Sequence, residues 1–475
     1  MIGRFLPKVT VAPRSVARVA AKSGSGVRVP QHERFLLDNG VALVIVPRRD
    51  VPLVAFNAVL RGGALADPVT KPGVASLLAG LLEKGAGRRD AYAFADAVEG
   101  VGGSFNAAAN TESVSVRGQF LARDQQLMLE LLADALLRPR LELEELDILR
   151  ARHIEMIKAA KDADPSELIG LYGRSFLFQD HPYGRPVIGS ETSLAAITHR
   201  DVLDYYEAHC GADRLTLVFA GDVDTAWLRR MVARMFGSWP KAAARAPSLV
   251  PAARLPTPQV LLIDSPGAVQ SHFWVGNVGV DRRYPQRAAL DLVNTLYGGR
   301  FTSIINTELR IKSGLSYGAR SGFTRGSVAG EFSIHSFAQT ENTATALELT
   351  MRTLERLKRD GVTADMLESA RAYVLGQYPL NFETAMDWAV ALGEIELYGL
   401  GSDYIDQYGP ALRSVTLEDT RRVIDEAFPS PAAVALVLVA DAAKVRDRIT
   451  AYGPITDMIL TQPTFRPAPA VRAAA

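Results

Sequence analysis

The sequence predicts an α+β fold of two tandem similar domains, each a largely antiparallel sheet with helices packed on one face. A helix start at 196–201 recurs 218 residues later at 414–419, and an apolar strand at 214–222 recurs 219 residues later at 433–441. Two features with nearly one offset indicate a duplicated unit of about 220 residues. Chain length agrees, because 475 residues exceed what one ordinary core holds.

The domain boundaries follow from composition. Residues 241–256 are rich in Ala and Pro and lack periodicity, which is typical of a linker. We therefore predict, in order, a disordered basic N-terminal extension, an N-terminal domain, this linker, a C-terminal domain and a tail, at 1–32, 33–240, 241–256, 257–455 and 456–475.

The first elements of the N-terminal domain are a predicted hairpin and two helices. Apolar strands at 34–37 and 41–46 flank Asn39 and Gly40, and Asn-Gly between such runs is a strong hairpin signal. After a further apolar run, helices are predicted at 73–84 and 91–98.

The remaining predicted elements follow the same reasoning. A half-buried strand is expected from about 102 to 117, because its residues alternate between apolar and polar. Long amphipathic helices are expected at 123–138 and 142–161. In the second half a helix at 301–310 precedes a predicted strand at 315–320.

Composition excludes several classes of protein. The 53 basic and 52 acidic residues give a net charge of +1, so no global attraction to nucleic acid or anionic membranes is expected. Cys210 is the only cysteine, which excludes an internal disulfide and a Cys-based metal site. No run of 18 uninterrupted apolar residues occurs, so no membrane span is expected.

The first 32 residues are basic, with no acidic residue before Glu33. Prolines and basic residues interrupt every candidate apolar core of a Sec signal. An organellar presequence and a disordered extension both fit this composition. We expect a cytoplasmic chain rather than a periplasmic or organellar one.

Residues 73–85 resemble the pitrilysin/insulinase (M16) family of zinc peptidases, which carries Gly-Val-Ala-His-x-x-Glu-His and then Lys-Gly. The frame is intact, at Gly73, Val74, Ala75, Lys84 and Gly85. Ser76 replaces the first His, Ala79 the Glu and Gly80 the second His. Residues 180–189 also resemble a loop of that family, and the resemblance implies an M16/LuxS-like fold across about 33–455.

These substitutions remove the chemistry of a zinc peptidase. Zinc needs imidazole or carboxylate ligands, and hydrolysis needs a base to activate water. Counting along the chain places the family's third ligand near Met156 and Ile157, with Glu155 close but out of frame. The seven histidines form no i, i+3 or i, i+4 pair. We therefore expect no metal and no independent activity in this chain.

Two further segments resemble substrate-binding parts of the family. Arg310 and Tyr317, seven residues apart, fall on an Arg and a Tyr of its second domain. In active members this pair reaches across a closed chamber to the substrate, and both side chains can donate to a peptide carbonyl or its oxyanion. Asn106 and Ala107 match an edge strand beside the zinc, where substrate pairs by strand addition.

Two hypotheses of function follow. In the first, the chain is the non-catalytic subunit of a heterodimer, binding peptide substrate with Arg310 and Tyr317 while an active M16-type partner supplies zinc. In the second, it is a structural protein, like the core subunits of respiratory complex III, and the pair is idle. Retention of the pair beside lost zinc ligands favours the first.

Overall fold

A computed structural model describes residues 26–467, which form two six-stranded sheets. The first sheet has the order β1-β2-β6-β3-β5-β4 and is antiparallel except where β2 pairs with β6. Its strands are β1 (Glu33–Leu36), β2 (Ala42–Pro47), β3 (Leu53–Arg61), β4 (Ser104–Ala109), β5 (Ser113–Leu121) and β6 (Leu215–Gly221).

The second sheet repeats that order with one exchanged edge strand. Its order is β12-β7-β11-β8-β10-β9, so β7 to β11 take the places of β2 to β6. A C-terminal strand parallel to β7 replaces the antiparallel first strand at one edge. The strands are β7 (Gln259–Asp264), β8 (Gln270–Gly279), β9 (Ala319–Arg325), β10 (Gly330–Gln339), β11 (Ala435–Ala440) and β12 (Ile455–Ile459).

The helices lie mostly where the apolar periodicity predicts them. Those of the first half are α1 (Val74–Leu81), α2 (Ala91–Glu99), α3 (Gln125–Leu137), α4 (Leu143–Ala163), α5 (Ile169–Phe178), α6 (Glu191–Ala196), α7 (His199–His209) and α8 (Thr225–Phe236). Those of the second half are α9 (Arg287–Asn294), α10 (Ile304–Asn306), α11 (Thr343–Asp360), α12 (Ala364–Gln377), α13 (Ala385–Tyr398), α14 (Tyr408–Ser414), α15 (Leu417–Ala427) and α16 (Ala442–Ile449). The predicted α+β fold of two similar domains is confirmed.

The two halves exchange one helix each. Helix α5 packs against β8 and β11 of the second sheet, and α13 packs against β3 and β6 of the first. A glycine permits each close approach: a Cβ at Gly173 would lie 2.5 Å from the Trp274 ring, and one at Gly393 would lie 2.5 Å from Asn57 Nδ2. Each domain's own helices cover one face of its sheet, and the exchanged helix covers the other.

Polar contacts also join the halves. The Glu112 carboxylate of the first half accepts a hydrogen bond from Ser327 N of the second half at 2.7 Å, and Tyr183 Oη of its own half donates to it at 2.5 Å. Arg174 on α5 forms an ion pair with the buried Glu331 of β10 at 3.2 Å. Because buried charged groups are costly without partners, these contacts restrict how the domains can be arranged.

The chain ends extend the fold beyond its predicted limits. Most of the predicted N-terminal extension lies outside the described residues, but Val29 N donates to Asp406 Oδ1 at 2.7 Å, so ordered structure begins before residue 33. The predicted tail starts inside β12, and Phe465 packs edge-on against Tyr172 with ring centroids 5.0 Å apart. No helix of residues 26–467 is long and apolar enough to cross a membrane.

Candidate functional site

Helix α1, which carries the altered motif, is built into the core. Val74, Leu77 and Leu81 are buried, and Ala79 is buried with them. Its N-terminus is held by the buried Asp67, whose two carboxylate oxygens accept from Gly73 N (2.7 Å) and Ala75 N (2.8 Å). Burial raises the pKa of Asp67 to about 7, although both N–H groups oppose the shift.

The space beside Gly80 is filled by an apolar side chain. A Cβ at residue 80 would lie 2.5 Å from Leu149 Cδ2, so α4 packs directly on this glycine. Of the two counted positions for the third ligand, Met156 is 58% exposed and Ile157 is buried, whereas the α4 side chain that contacts Gly80 is Leu149.

The residues at the altered motif do not fit a zinc ion. Ser76 offers one weak hydroxyl, while Ala79, Gly80 and the facing Leu149 offer no ligand atom. Throughout residues 26–467 no group of three His, Cys, Asp or Glu side chains is arranged to hold a metal ion. We therefore derive no metal-dependent step for this chain.

Edge strand β4 places Asn106 and Ala107 next to the end of α1. The half-buried Glu83 carboxylate accepts a short hydrogen bond from Ala107 N and one from Asn106 Nδ2 at 3.3 Å. Burial raises the pKa of Glu83, and the bond from Ala107 opposes that shift. A substrate strand pairing at Ala107 would have to displace Glu83.

Arg310 and Tyr317 lie together, as the resemblance implied. The Arg310 guanidinium carbon lies 4.3 Å from the centroid of the Tyr317 ring and 4.9 Å from that of Phe301. Within residues 26–467 neither the guanidinium nor the Tyr317 hydroxyl has a hydrogen-bond or ion-pair partner, and Tyr317 is 75% exposed. Both donors are therefore available to a ligand.

The backbone around this pair is less regular than the helix and strand predicted at 301–310 and 315–320. Arg310 lies in a π-helix at Thr307–Lys312 that continues α10, and a second π-helix spans Thr295–Gly299. The predicted strand at 315–320 begins only at Ala319, so Tyr317 lies in a loop. The Ser316 hydroxyl stabilises this loop, because it donates a hydrogen bond to the Gly318 carbonyl and accepts one from the Gly318 N–H.

A cavity of about 580 Å³ opens beside Arg310. Ser166 and Ile169 contribute to its wall from the first half, and the ends of β8, β9 and β10 contribute from the second. Sequence reasoning missed its other charged residues, Arg300 and Arg320, because neither belongs to a motif. It also missed Asp67, Glu83 and Leu149, which act through contacts distant in sequence.

Fold and site together define a duplicated metallopeptidase scaffold without metal ligands at its motif. The chain belongs to peptidase family M16: residues 45–191 match the domain described as "Insulinase (Peptidase family M16)", and residues 196–374 match the "Peptidase M16 inactive domain". The two matches together span well over half of the chain, and they confirm the resemblance noted at residues 73–85.

Relatives of similar length support this assignment. An uncharacterized zinc protease of Mycobacterium leprae is 29% identical over 71% of this chain and 76% of its own. An uncharacterized zinc protease of Streptomyces coelicolor is 25% identical over 87% of this chain and 92% of its own length.

Solved structures share the fold. A peptidase M16 inactive domain from Pseudomonas fluorescens has a TM-score of 0.80 at 22% identity, covering 86% of this chain and 98% of that one. A protease from Helicobacter pylori has a TM-score of 0.79 at 19% identity, covering 86% and 99%.

Proposed function

We propose that this chain is the non-catalytic subunit of a heteromeric M16-type peptidase. In this proposal, Arg310 and Tyr317 bind peptide substrate in a chamber closed with a zinc-bearing partner. The observation that carries it is the state of this pair: both side chains are accessible and neither donor is used within residues 26–467. Tyr317 is exposed and Arg310 is half-buried without a hydrogen-bond or ion-pair partner in residues 26–467, so the pair contributes little to folding and its retention favours a role toward a ligand.

The chemistry of the pair suits a peptide carbonyl. Arginine presents a rigid fork of N–H donors, and tyrosine presents one hydroxyl donor. Stacking between Phe301 and Tyr317 restricts the Arg310 guanidinium before substrate binds, which lowers the entropic cost of binding. Such donors stabilise negative charge that develops on a carbonyl oxygen while the partner carries out hydrolysis.

The alternative is a structural protein without a role in proteolysis. The features that favour it lie in the first half, where Leu149 fills the space beside Gly80 and Glu83 occupies the edge of β4. Both hypotheses agree that this chain hydrolyses nothing by itself. They differ in whether Arg310 and Tyr317 are used.

The test is peptide hydrolysis by this chain mixed with an M16 chain that carries an intact His-x-x-Glu-His motif. We expect stimulation by the wild type, and a loss of about 100- to 1000-fold in that stimulation with Arg310→Ala if the guanidinium stabilises the oxyanion. Tyr317→Phe keeps the ring that stacks on Arg310, so its effect isolates the hydroxyl group.

An assembly check, a control variant and the Michaelis constant make this test decisive. Light scattering confirms that each variant still assembles with the partner, and Arg352→Ala, an exposed arginine on α11, is the matched control. A rise in the Michaelis constant alone would assign the pair to substrate binding rather than to the transition state. Wild-type rates from both Arg310→Ala and Tyr317→Phe would favour the structural protein.

A further inference from the structure

The side chains that line the cavity beside Arg310 carry an excess of positive charge. Three arginines line it, Arg300, Arg310 and Arg320, and among the described residues that line it there is no Asp or Glu. A concave, partly desolvated wall strengthens interactions with charge compared with an open surface.

None of these three arginines is neutralised by an acid within residues 26–467. Arg320 is exposed on β9 and, like Arg310, forms no ion pair there. Arg300 donates to Ser369 Oγ at 3.1 Å, and its buried Nε has no partner. Its guanidinium carbon lies 5.9 Å from the centroid of the Tyr373 ring, which is 42% exposed.

The remaining titratable groups at the cavity do not offset this charge. His335 lies opposite Arg320 across the β9–β10 pair, and its pKa is lowered to about 4, mainly by burial and further by Arg320 and Arg174. Burial also lowers the pKa of His272. Asp164, which opposes the lowering of the His272 pKa, accepts from Ser166 N at 3.0 Å and does not line the cavity.

We infer that this cavity binds the side-chain carboxylates of an acidic stretch of peptide, with Arg300 and Arg320 setting that preference. The inference rests on the peptide-binding role proposed above and adds a substrate class to it. Arginine suits this task because its planar fork can donate two parallel hydrogen bonds to one carboxylate. The exposed rings of Phe301 and Tyr373 offer apolar surface to neighbouring parts of the peptide.

The experiment measures binding to the full chain alone by fluorescence anisotropy. The probes are labelled peptides of equal length with amidated C-termini, in which the same positions carry Glu, Gln or Lys. We expect the Glu peptide to bind about tenfold or more tightly than the Gln peptide at low salt, and the difference to shrink as salt rises. The Lys peptide is expected to bind most weakly.

Variants assign the preference to the cavity. Arg320→Gln and Arg300→Gln should each reduce the ratio of Glu to Gln affinity by about three- to tenfold. Arg352→Gln, an exposed arginine outside the cavity, should leave the ratio unchanged. Thermal unfolding of each variant confirms that the fold is intact.

Three results would overturn the inference. One is equal binding of Glu and Gln peptides by the wild type. Another is tighter binding that appears only when a Gln peptide carries a free C-terminal carboxylate in place of the amide. That result would assign the cavity to the ends of peptide chains. The third is equally tight binding of a single-stranded oligonucleotide with the same dependence on Arg320.

Failure of this inference and failure of the proposed function are distinguishable. A lost charge preference with intact dependence of the partner's activity on Arg310 and Tyr317 would refute only the substrate class. Retained binding of acidic peptide without any stimulation of a partner would refute only the role in proteolysis.

Discussion

The two halves build equivalent corners from equivalent elements and use them differently. In the first half α1, α2 and β4 form the corner, and in the second α9, α10 with its π-helix, and β9 take their places. The first corner is closed, because Leu149 packs on Gly80 and Glu83 bonds the edge strand. The second is open, with Arg310 lining a cavity and Tyr317 exposed beside it.

The closed corner is the one that lacks the family's zinc ligands, and the open corner is the one that retains Arg310 and Tyr317. At Gly80, where the family motif has a histidine, Leu149 fills the adjacent space, so we expect a larger side chain there to lower stability. Arg310 and Tyr317 in the second corner have little to contribute to stability, since stacking of an arginine on an aromatic ring near the surface contributes about 1 kcal/mol or less. Substitutions can test each half of this contrast.

The largest expected effect is on metal binding. Ser76→His with Ala79→Glu and Gly80→His should not by itself bind zinc stoichiometrically, because Leu149 leaves the third ligand missing. Adding Leu149→Glu should supply it and give about one zinc per chain. Elemental analysis after dialysis measures both, with circular dichroism as the check on folding. One tightly held zinc in the wild type would contradict our assignment of the first corner.

Next is the cost of opening the closed corner. Gly80→His should destabilise the fold by about 1–3 kcal/mol, because the imidazole must displace Leu149. The matched control is Gly376→His on α12, where a Cβ meets no atom within 4 Å, and we expect a change of about 0.5 kcal/mol or less. Urea unfolding measures both. Equal midpoints for the two variants would show that Leu149 yields without cost.

A third prediction concerns pH and Asp67, the carboxylate that holds the start of α1. Its folded pKa, raised by burial to about 7, lies above the unfolded value of about 4. Between these values the unfolded chain loses the proton first, so the contribution of Asp67 to stability should fall as pH rises from about 4 to 7 and then level off. Urea unfolding across this range, compared with Asp67→Asn, isolates the effect. Identical pH profiles would contradict the shift.

The smallest expected effect is at the edge of β4. Glu83→Ala should destabilise by about 1 kcal/mol and speed hydrogen exchange at Ala107, whose N–H loses its acceptor. Glu83→Gln keeps an acceptor oxygen and should change exchange less, which separates the hydrogen bond from the charge. Unchanged exchange at Ala107 in Glu83→Ala would mean that Glu83 does not close this edge.

Much of the fold could be predicted because its signals are local. The Asn39–Gly40 turn and the amphipathic helices each lie within a short window of sequence, and so does each copy of the pattern that repeats about 220 residues later. The strand predicted at 315–320 begins only at Ala319, because Ser316 N donates to Leu309 O and the Ser316 hydroxyl bonds the Gly318 backbone, which holds this stretch in a loop. The exchange of α5 and α13 left no local signal, because it depends on two glycines that contact the opposite sheet.

The sequence by itself determined the family frame around α1, the loss of its three working residues, and the retention of Arg310 and Tyr317. Each of these is a residue type at a fixed short spacing, which a single chain displays directly. Only the tertiary structure decided that Leu149 fills the space beside Gly80, that Glu83 bonds β4, and that Arg300 and Arg320 share a cavity with Arg310. These are contacts between residues distant along the chain, and packing rather than periodicity brings them together.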